Sequence, residues 1–234
     1  MTYGARIFLI ILAFQILTAN PVSLEYPIIP KIDCNDLNKN GHPDFIAVNN
    51  SSSPRSLYHI EYNGSGVEFI WDYSMPENVQ GYFTQMLLDD FDNDGGLELI
   101  VATSQNDGEG VFYVFPADVI GFNVDIPKIV GIDNFSASIT HPWKLYSMNT
   151  DSDGSRPFII TQGSPSRHII MCKYIDGKIN SVGSFGNKFI DQSMGPLELS
   201  FGNFDGDGIE DLFILTNSPD PEGYFIFFGW IRRS

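Results

Sequence analysis

Phe201-Gly202-Asn203-Phe204-Asp205-Gly206-Asp207-Gly208-Ile209-Glu210-Asp211-Leu212-Phe213 is the stretch on which the reading of the whole chain turns. Asn203, Asp205, Asp207 and Asp211 place side-chain oxygens at positions 1, 3, 5 and 9 of a short loop. Gly208 at position 6 allows a tight backbone turn, and the carbonyl of Ile209 at position 7 completes the ring. Donors that are all oxygen, several of them charged, suit a hard cation of flexible geometry. Ca²⁺ fits them better than Mg²⁺ or a transition metal. An Asx-rich turn between two strands would use the same residues with no ion at all. One copy does not separate the two readings.

The loop recurs. Asp36-x-Asn38-x-Asn40-Gly41-His42-x-Asp44 and Asp90-x-Asp92-x-Asp94-Gly95-Gly96-x-Glu98 repeat the spacing, with the carbonyls of His42 and Gly96 at position 7. A worn copy, Asn149-x-Asp151-x-Asp153-Gly154-x-x-Pro157, has proline where the ninth carboxylate should be. The four starts, at 36, 90, 149 and 203, lie 54, 59 and 54 residues apart. A near-constant period of this size is the mark of a repeat architecture. Calcium is therefore expected at the first, second and fourth loops, and weakly or not at all at the third. With four carboxylates the second loop should bind most tightly. The first, with only Asp36 and Asp44 charged, should be the weakest of the three.

An EF-hand would need a bidentate Glu at position 12 and flanking helices. Position 12 here is Ala47, Val101, Ile160 and Ile214, each within an apolar run rich in strand formers. The dockerin variant needs helices as well, so both are rejected.

Composition agrees with a globular β protein. The chain has 234 residues, 43% apolar and 14% aromatic, with only 18% charged. Its net charge of −16 makes nucleic acid and anionic membranes poor partners. Of the 29 acidic residues, 11 stand at loop ligand positions, where bound calcium would offset them. Residues 1–23 read as a secretory signal: Arg6 is the only charge, the run 7–17 is apolar apart from Gln15, and Ala19 or Ser23 offers a small residue for cleavage. An uncleaved N-terminal anchor is the alternative. A secreted, periplasmic or cell-surface location follows, where calcium is plentiful. Cys34 and Cys172 lie in different repeats and are read as separate thiols. Sequons at Asn49, Asn50, Asn63 and Asn134 matter only in a eukaryotic source.

Each period divides alike. Strands are expected over 27–33, 45–48, 56–62 and 67–73, then over 82–88, 97–103, 111–115 and a segment around 122–130 that Pro127 demotes to an edge. The third repeat gives 143–148, 157–161, 168–174 and 179–185, and the fourth 197–201, 212–215 and 224–230. Outside the signal no helical period is found. Four short antiparallel strands per repeat make one blade of a β-propeller, with the loop between its first two strands. The predicted fold is thus all-β, a β-propeller of about four blades (26–76, 80–136, 139–190 and 194–234) within residues 24–234, either closed on four blades or an incomplete propeller. A β-sandwich would not explain the period. The last blade lacks an outer strand in this reading, so the chain is expected either to be part of a longer propeller or to be completed by self-association through that blade.

The same residues resemble the FG-GAP repeats of integrin α-subunit propellers and the related bacterial VCBS-type repeats. Phe201-Gly202 looks like the FG half, and Leu212-Phe213-Ile214-Leu215-Thr216-Asn217 occupies the place of the GAP-bearing strand, although Gly-Ala-Pro itself is absent. Leu99-Ile100-Val101-Ala102-Thr103 and Phe45-Ile46-Ala47-Val48-Asn49 sit equivalently. The resemblance covers about residues 26–230. It implies a propeller in which calcium stiffens the blade loops and takes no part in chemistry. It says little of function, because the family serves adhesion, lectins and polysaccharide lyases.

No catalytic constellation stands out. His42, His59, His141 and His168 are scattered, with His59 and His168 on third strands where a packed or half-exposed histidine is the common outcome. Asp72, Glu77, Asp118, Asp125 and Asp191 lie outside the loops without a spacing that argues acid–base work. Trp71, Tyr73, Trp143 and Tyr146 would stack on sugars or, more often, fill the space between blades. Two functions are expected from these features: a non-catalytic exported module binding a protein or glycan through its rim, or, behind it, a carbohydrate-active enzyme on a calcium-stabilised propeller.

Overall fold

The computed structural model describes residues 29–51, 53–77, 79, 81–105, 111–118, 121–122, 127–134, 142–151, 153–162, 169–185, 195–206, 211–217 and 224–228. Every regular element among them is a strand. The signal segment 1–23, His141 and His168 lie outside the described residues, as do Asp125, Asp191 and the side chains of Cys34, Asp118 and Trp143. Two compact units are distinguished, Met1–Pro76 with Val119–Gly121, and Glu77–Asp118 with Phe122–Ser234.

The first unit holds one antiparallel sheet in chain order, β1 (Ile29–Asn35), β2 (Asp44–Asn49), β3 (Ser56–Tyr62) and β4 (Val67–Ser74). Its strands match the expected ones within about two residues, because apolar alternation and turn residues bound them so closely. Ile46, Ala47 and Val48 of the central β2 are all buried, as a strand covered on both faces must be, whereas β4 at the edge is largely exposed. The β3–β4 hairpin turns on Asn63, whose Oδ1 accepts the amides of Ser65 at 3.1 Å and Gly66 at 3.0 Å, with Gly64 at φ +83°.

In the second unit β5 (Gly81–Asp89), β6 (Leu97–Gln105) and β7 (Phe112–Asp118) form an antiparallel sheet. The short β8 (Gly121–Phe122) follows, and β9 (Lys128–Val130) pairs antiparallel with β7. The expected segment around 122–130 is thus two pieces, the second beginning directly after Pro127. The next sheet carries five strands rather than four: β10 (Ile132–Asp133), β14 (Lys178–Phe185), β13 (Ile169–Ile175), β12 (Phe158–Gln162) and β11 (Pro142–Ser147), in that order. Before entering its own sheet the chain lays β10 parallel along β14, Ile132 opposite Ile179, and so covers the outer edge. The last sheet has three described strands, β15 (Gly195–Gly202), β16 (Asp211–Asn217) and β17 (Tyr224–Phe228).

These last three sheets stack through β12. Because side chains alternate along a strand, Phe158 and Ile160 enter one core with Phe91, Ile100, Phe112 and Val114, whereas Ile159 enters another with Leu199, Leu212 and Ile214. Phe158 meets Phe91 edge-on at a centroid distance of 5.4 Å. Tyr146, a candidate sugar platform, instead packs on Phe201 at 6.2 Å and fills the space between sheets. Cys172 is a buried free thiol, pushed up by that burial.

Candidate metal centres

Each loop joins the first two long strands of its sheet, and its ninth residue opens the second strand. Asp44 begins β2, Glu98 is the second residue of β6, and Asp211 begins β16. All three carboxyls are buried, at 0%, 5% and 1% exposure. Each is pinned by the amide at loop position 2: Leu37 N to Asp44 Oδ2 at 2.6 Å, Phe91 N to Glu98 Oε2 at 2.9 Å, and Phe204 N to Asp211 Oδ2 at 2.8 Å. A strand entrance thus holds a carboxylate facing back into its own loop.

The other ligand positions share one hydrogen-bond scheme. The carboxylate at position 1 accepts two amides, from Asn40 and Gly41 at 2.9 Å each for Asp36, and from Asp94 and Gly95 at 3.1 Å each for Asp90. At position 3, Asn38 and Asp92 accept the position-5 amide at 3.1 and 3.3 Å. At position 5, Asn40, Asp94 and Asp153 accept the position-7 amide at 2.9, 2.7 and 3.0 Å. To aim so many amides inward the backbone turns left-handed at position 4, φ +58° at Lys39 and +61° at Asn93, and again at position 6, +92° at Gly41 and +86° at Gly154. In the fourth loop Gly206 keeps the position-4 turn at φ +81°, and Asn203 and Asp205 are exposed beside it. Asp207 and Ile209 lie outside the described residues.

The second loop gathers the most charge. Oxygens of Asp90, Asp92 and Glu98 lie within 4.8 Å of one another. Two oxygens on one Ca²⁺, each about 2.4 Å away, are separated by at most about 4.8 Å, so the group matches a shared calcium shell. Without a cation these charges oppose each other. Burial, then Asp92, Asp94 and Asp90, push Glu98 from 4.5 to about 7, against the pull of the Phe91 amide. Asp92 is raised too, by burial and by Asp94 and Asp90. Hard oxygen donors with excess negative charge fit calcium by type, and Asp90, Asp92, Asp94, Glu98 and the Gly96 carbonyl are the groups that would hold it. The buried Tyr174 phenol of the neighbouring sheet is pushed up to about 12, by burial and by Glu98, Asp92 and Asp94.

The first loop is tuned differently. Its Asn38 and Asn40 amide groups both donate to Glu61 Oε2 on β3, the former at 3.1 Å. Those bonds, Asn40's foremost, hold Glu61 below its usual range. The second oxygen of Asp44 meets His59 Nε2 at 2.8 Å. Neither Glu61 nor this role of His59 is visible in the spacing, because both come from the next strand. The loop's own donors, Asp36, Asn38, Asn40, the His42 carbonyl and Asp44, suit calcium by type but are poorer in charge.

The third loop is occupied by the protein itself. Lys173 Nζ of β13 lies 3.0 Å from Asp151 Oδ2 and 2.6 Å from Asp153 Oδ2. Its hydrogen bond, with those of Ser155, holds Asp153 far below the usual carboxylate range. Burial pulls the ammonium down, but Asp153 and Asp151 outweigh it and the net shift is upward. Asn149 is exposed. The second and third loops lie side by side: Arg156 pairs with Asp89, its amide reaches the Phe91 carbonyl at 3.1 Å, and a Cβ on Gly154 would stand 2.6 Å from Asn93 Nδ2. Between them opens a cavity of about 480 Å³, lined by Asp92, Asp94, Asp153, Ser155 and the Tyr174, Ile175 and Asp176 turn. Of the acids outside the loops, Asp72 and Glu77 are exposed.

Comparison with known proteins agrees with this organisation. Residues 36–101, from the first loop into β6, match the family model described as FG-GAP-like repeat. No curated protein matches the chain. Among solved structures, the Bacillus licheniformis rhamnogalacturonan lyase PL11 superposes with a TM-score of 0.52 at 16% identity, over 86% of this chain and 44% of that one. The chain therefore spans less than half the length of that enzyme, and at this identity the likeness is one of fold. The repeat match and the loops that recur beyond it make this chain similar to the FG-GAP-type repeat proteins, with the matched repeat at residues 36–101.

Proposed function

We propose that this chain is an exported, calcium-binding β-propeller repeat module that has no catalytic role and binds a protein or glycan through the rim carrying its loops. The observation that carries the reading is the convergence of Asp90, Asp92 and Glu98 within 4.8 Å, partly buried and like-charged. Such a cluster is costly unless a cation joins it. Calcium there is structural: it neutralises the loop and fixes the strand entrance. The stacked antiparallel sheets, the recurrent loop and the fold likeness support a propeller. Residues 1–23 support export. Calorimetric titration of the chain with Ca²⁺ and Mg²⁺, followed by a glycan array in calcium and in EGTA, tests both halves. Calcium-selective uptake and calcium-dependent retention of a ligand are expected, and absence of uptake removes the reading.

A carbohydrate-active enzyme is the second reading, favoured by the likeness to a rhamnogalacturonan lyase. It predicts release of reducing ends from rhamnogalacturonan or another acidic polysaccharide. The module reading predicts none.

A further inference from the structure

We infer that one register position on the third strand of each of the first three sheets sets the charge of that sheet's loop, and that Lys173 at this position takes calcium's place in the third loop. The inference rests on the calcium reading of the other loops. The position is the residue paired with loop position 9. Asp44 pairs with Glu61, and Glu98 pairs with Pro116. One step beyond the pair Phe158 and Cys172, Pro157 falls opposite Lys173.

The three occupants complement their loops. Where positions 3 and 5 are the neutral Asn38 and Asn40, the strand supplies the carboxylate of Glu61, and both amides donate to it. Where the loop already has four carboxylates, the strand offers Pro116, which has no charge. Where positions 3 and 5 are Asp151 and Asp153 but position 9 has become Pro157, the strand supplies an ammonium to both aspartates, at 3.0 and 2.6 Å. Pro157 then fits. With a tethered cation the loop needs no ninth ligand, and a carboxylate there would have no further ion to serve. Covalent attachment gives the ammonium an effective concentration that free Ca²⁺ meets only with a full ligand set. The third loop therefore keeps its shape at any calcium concentration and braces the second loop through Arg156 on Asp89.

The test counts ions bound by the whole chain, using equilibrium dialysis against radioactive calcium. Lys173→Met with Pro157→Asp removes the tethered charge and restores the ninth ligand, so the doubly substituted chain should bind one more calcium per molecule than wild type. Pro116→Lys sets an ammonium against the second loop and should remove one. Circular dichroism confirms that each variant is folded, and either variant alone decides should the other fail to fold. Wild-type uptake with no change in either folded variant overturns the inference and leaves the calcium reading standing. Absence of any wild-type uptake overturns the calcium reading and the inference with it.

Discussion

His59 Nε2 lies 2.8 Å from Asp44 Oδ1, and both side chains have no exposed surface. With Leu37 N on its other oxygen, Asp44 is fixed before any ion arrives. The bond ties the first loop to the middle of β3, because His59 pairs with Ile46 two residues into β2. Replacing His59 by Leu leaves a buried carboxyl short of a partner, which costs about 2–3 kcal/mol. Denaturant unfolding in EGTA should show that loss, and adding Asp44→Asn should recover part of it. An unchanged midpoint for His59→Leu would mean that the pair contributes nothing.

Glu98 makes apo stability depend on pH with a definite sign. Its folded value, raised from 4.5 to about 7, means that between these pH values the folded chain holds a proton the unfolded chain has lost. The stabilisation is fully present below about 4.5 and lost as pH rises through about 7. In EGTA, the melting temperature of wild type relative to Glu98→Gln should therefore fall from pH 5 to pH 8. Saturating calcium, which favours the carboxylate, should reverse that trend. A difference independent of pH in EGTA would show that Glu98 is not perturbed.

Gly154 and Gly41 hold the same left-handed turn, at φ +86° and +92°, but in different surroundings. A Cβ on Gly41 meets nothing within 4 Å, whereas one on Gly154 strikes the end of Asn93. Gly41→Ala should cost the backbone strain alone, about 1–2 kcal/mol. Gly154→Ala should cost more, and in combination with Asn93→Ala the two losses should sum to less than their separate values. Strict additivity would separate the second loop from the third.

Much of this was legible in the chain itself. The loops announce themselves because a nine-residue oxygen pattern is local, and the strands follow because apolar runs alternate between Gly-rich turns. What came from elsewhere in the chain was not legible. Ile132–Asp133 is too short to show a period, and its partner Ile179 lies far along the sequence. Lys173 looks like an ordinary charge in an apolar strand until register places it opposite Pro157. Glu61 is likewise one more acid until Asn38 and Asn40 are seen to donate to it. Local spacing names a loop's own donors, while strand pairing decides what faces them.

Phe158 tests the stacking of sheets. It is fully buried against Phe91, and its neighbour Ile159 faces the opposite core. Phe158→Ala should cost about 3–5 kcal/mol and Ile159→Ala about 2–5 kcal/mol. Hydrogen exchange should show the first loosening β6 and the second loosening β16. Equal effects of both on both strands would mean that the two cores act as one.

The central claim is that the first, second and fourth loops are completed by calcium, and thermal unfolding of the chain in millimolar calcium against EGTA tests it most directly. An ion that binds only the folded state at a hundredfold excess over its Kd adds about 2.7 kcal/mol per site. The account predicts a melting temperature that rises with calcium, responds little to magnesium, and loses one site's share of its calcium response in Asp90→Asn with Asp92→Asn. Superimposable unfolding curves in calcium and EGTA would contradict it.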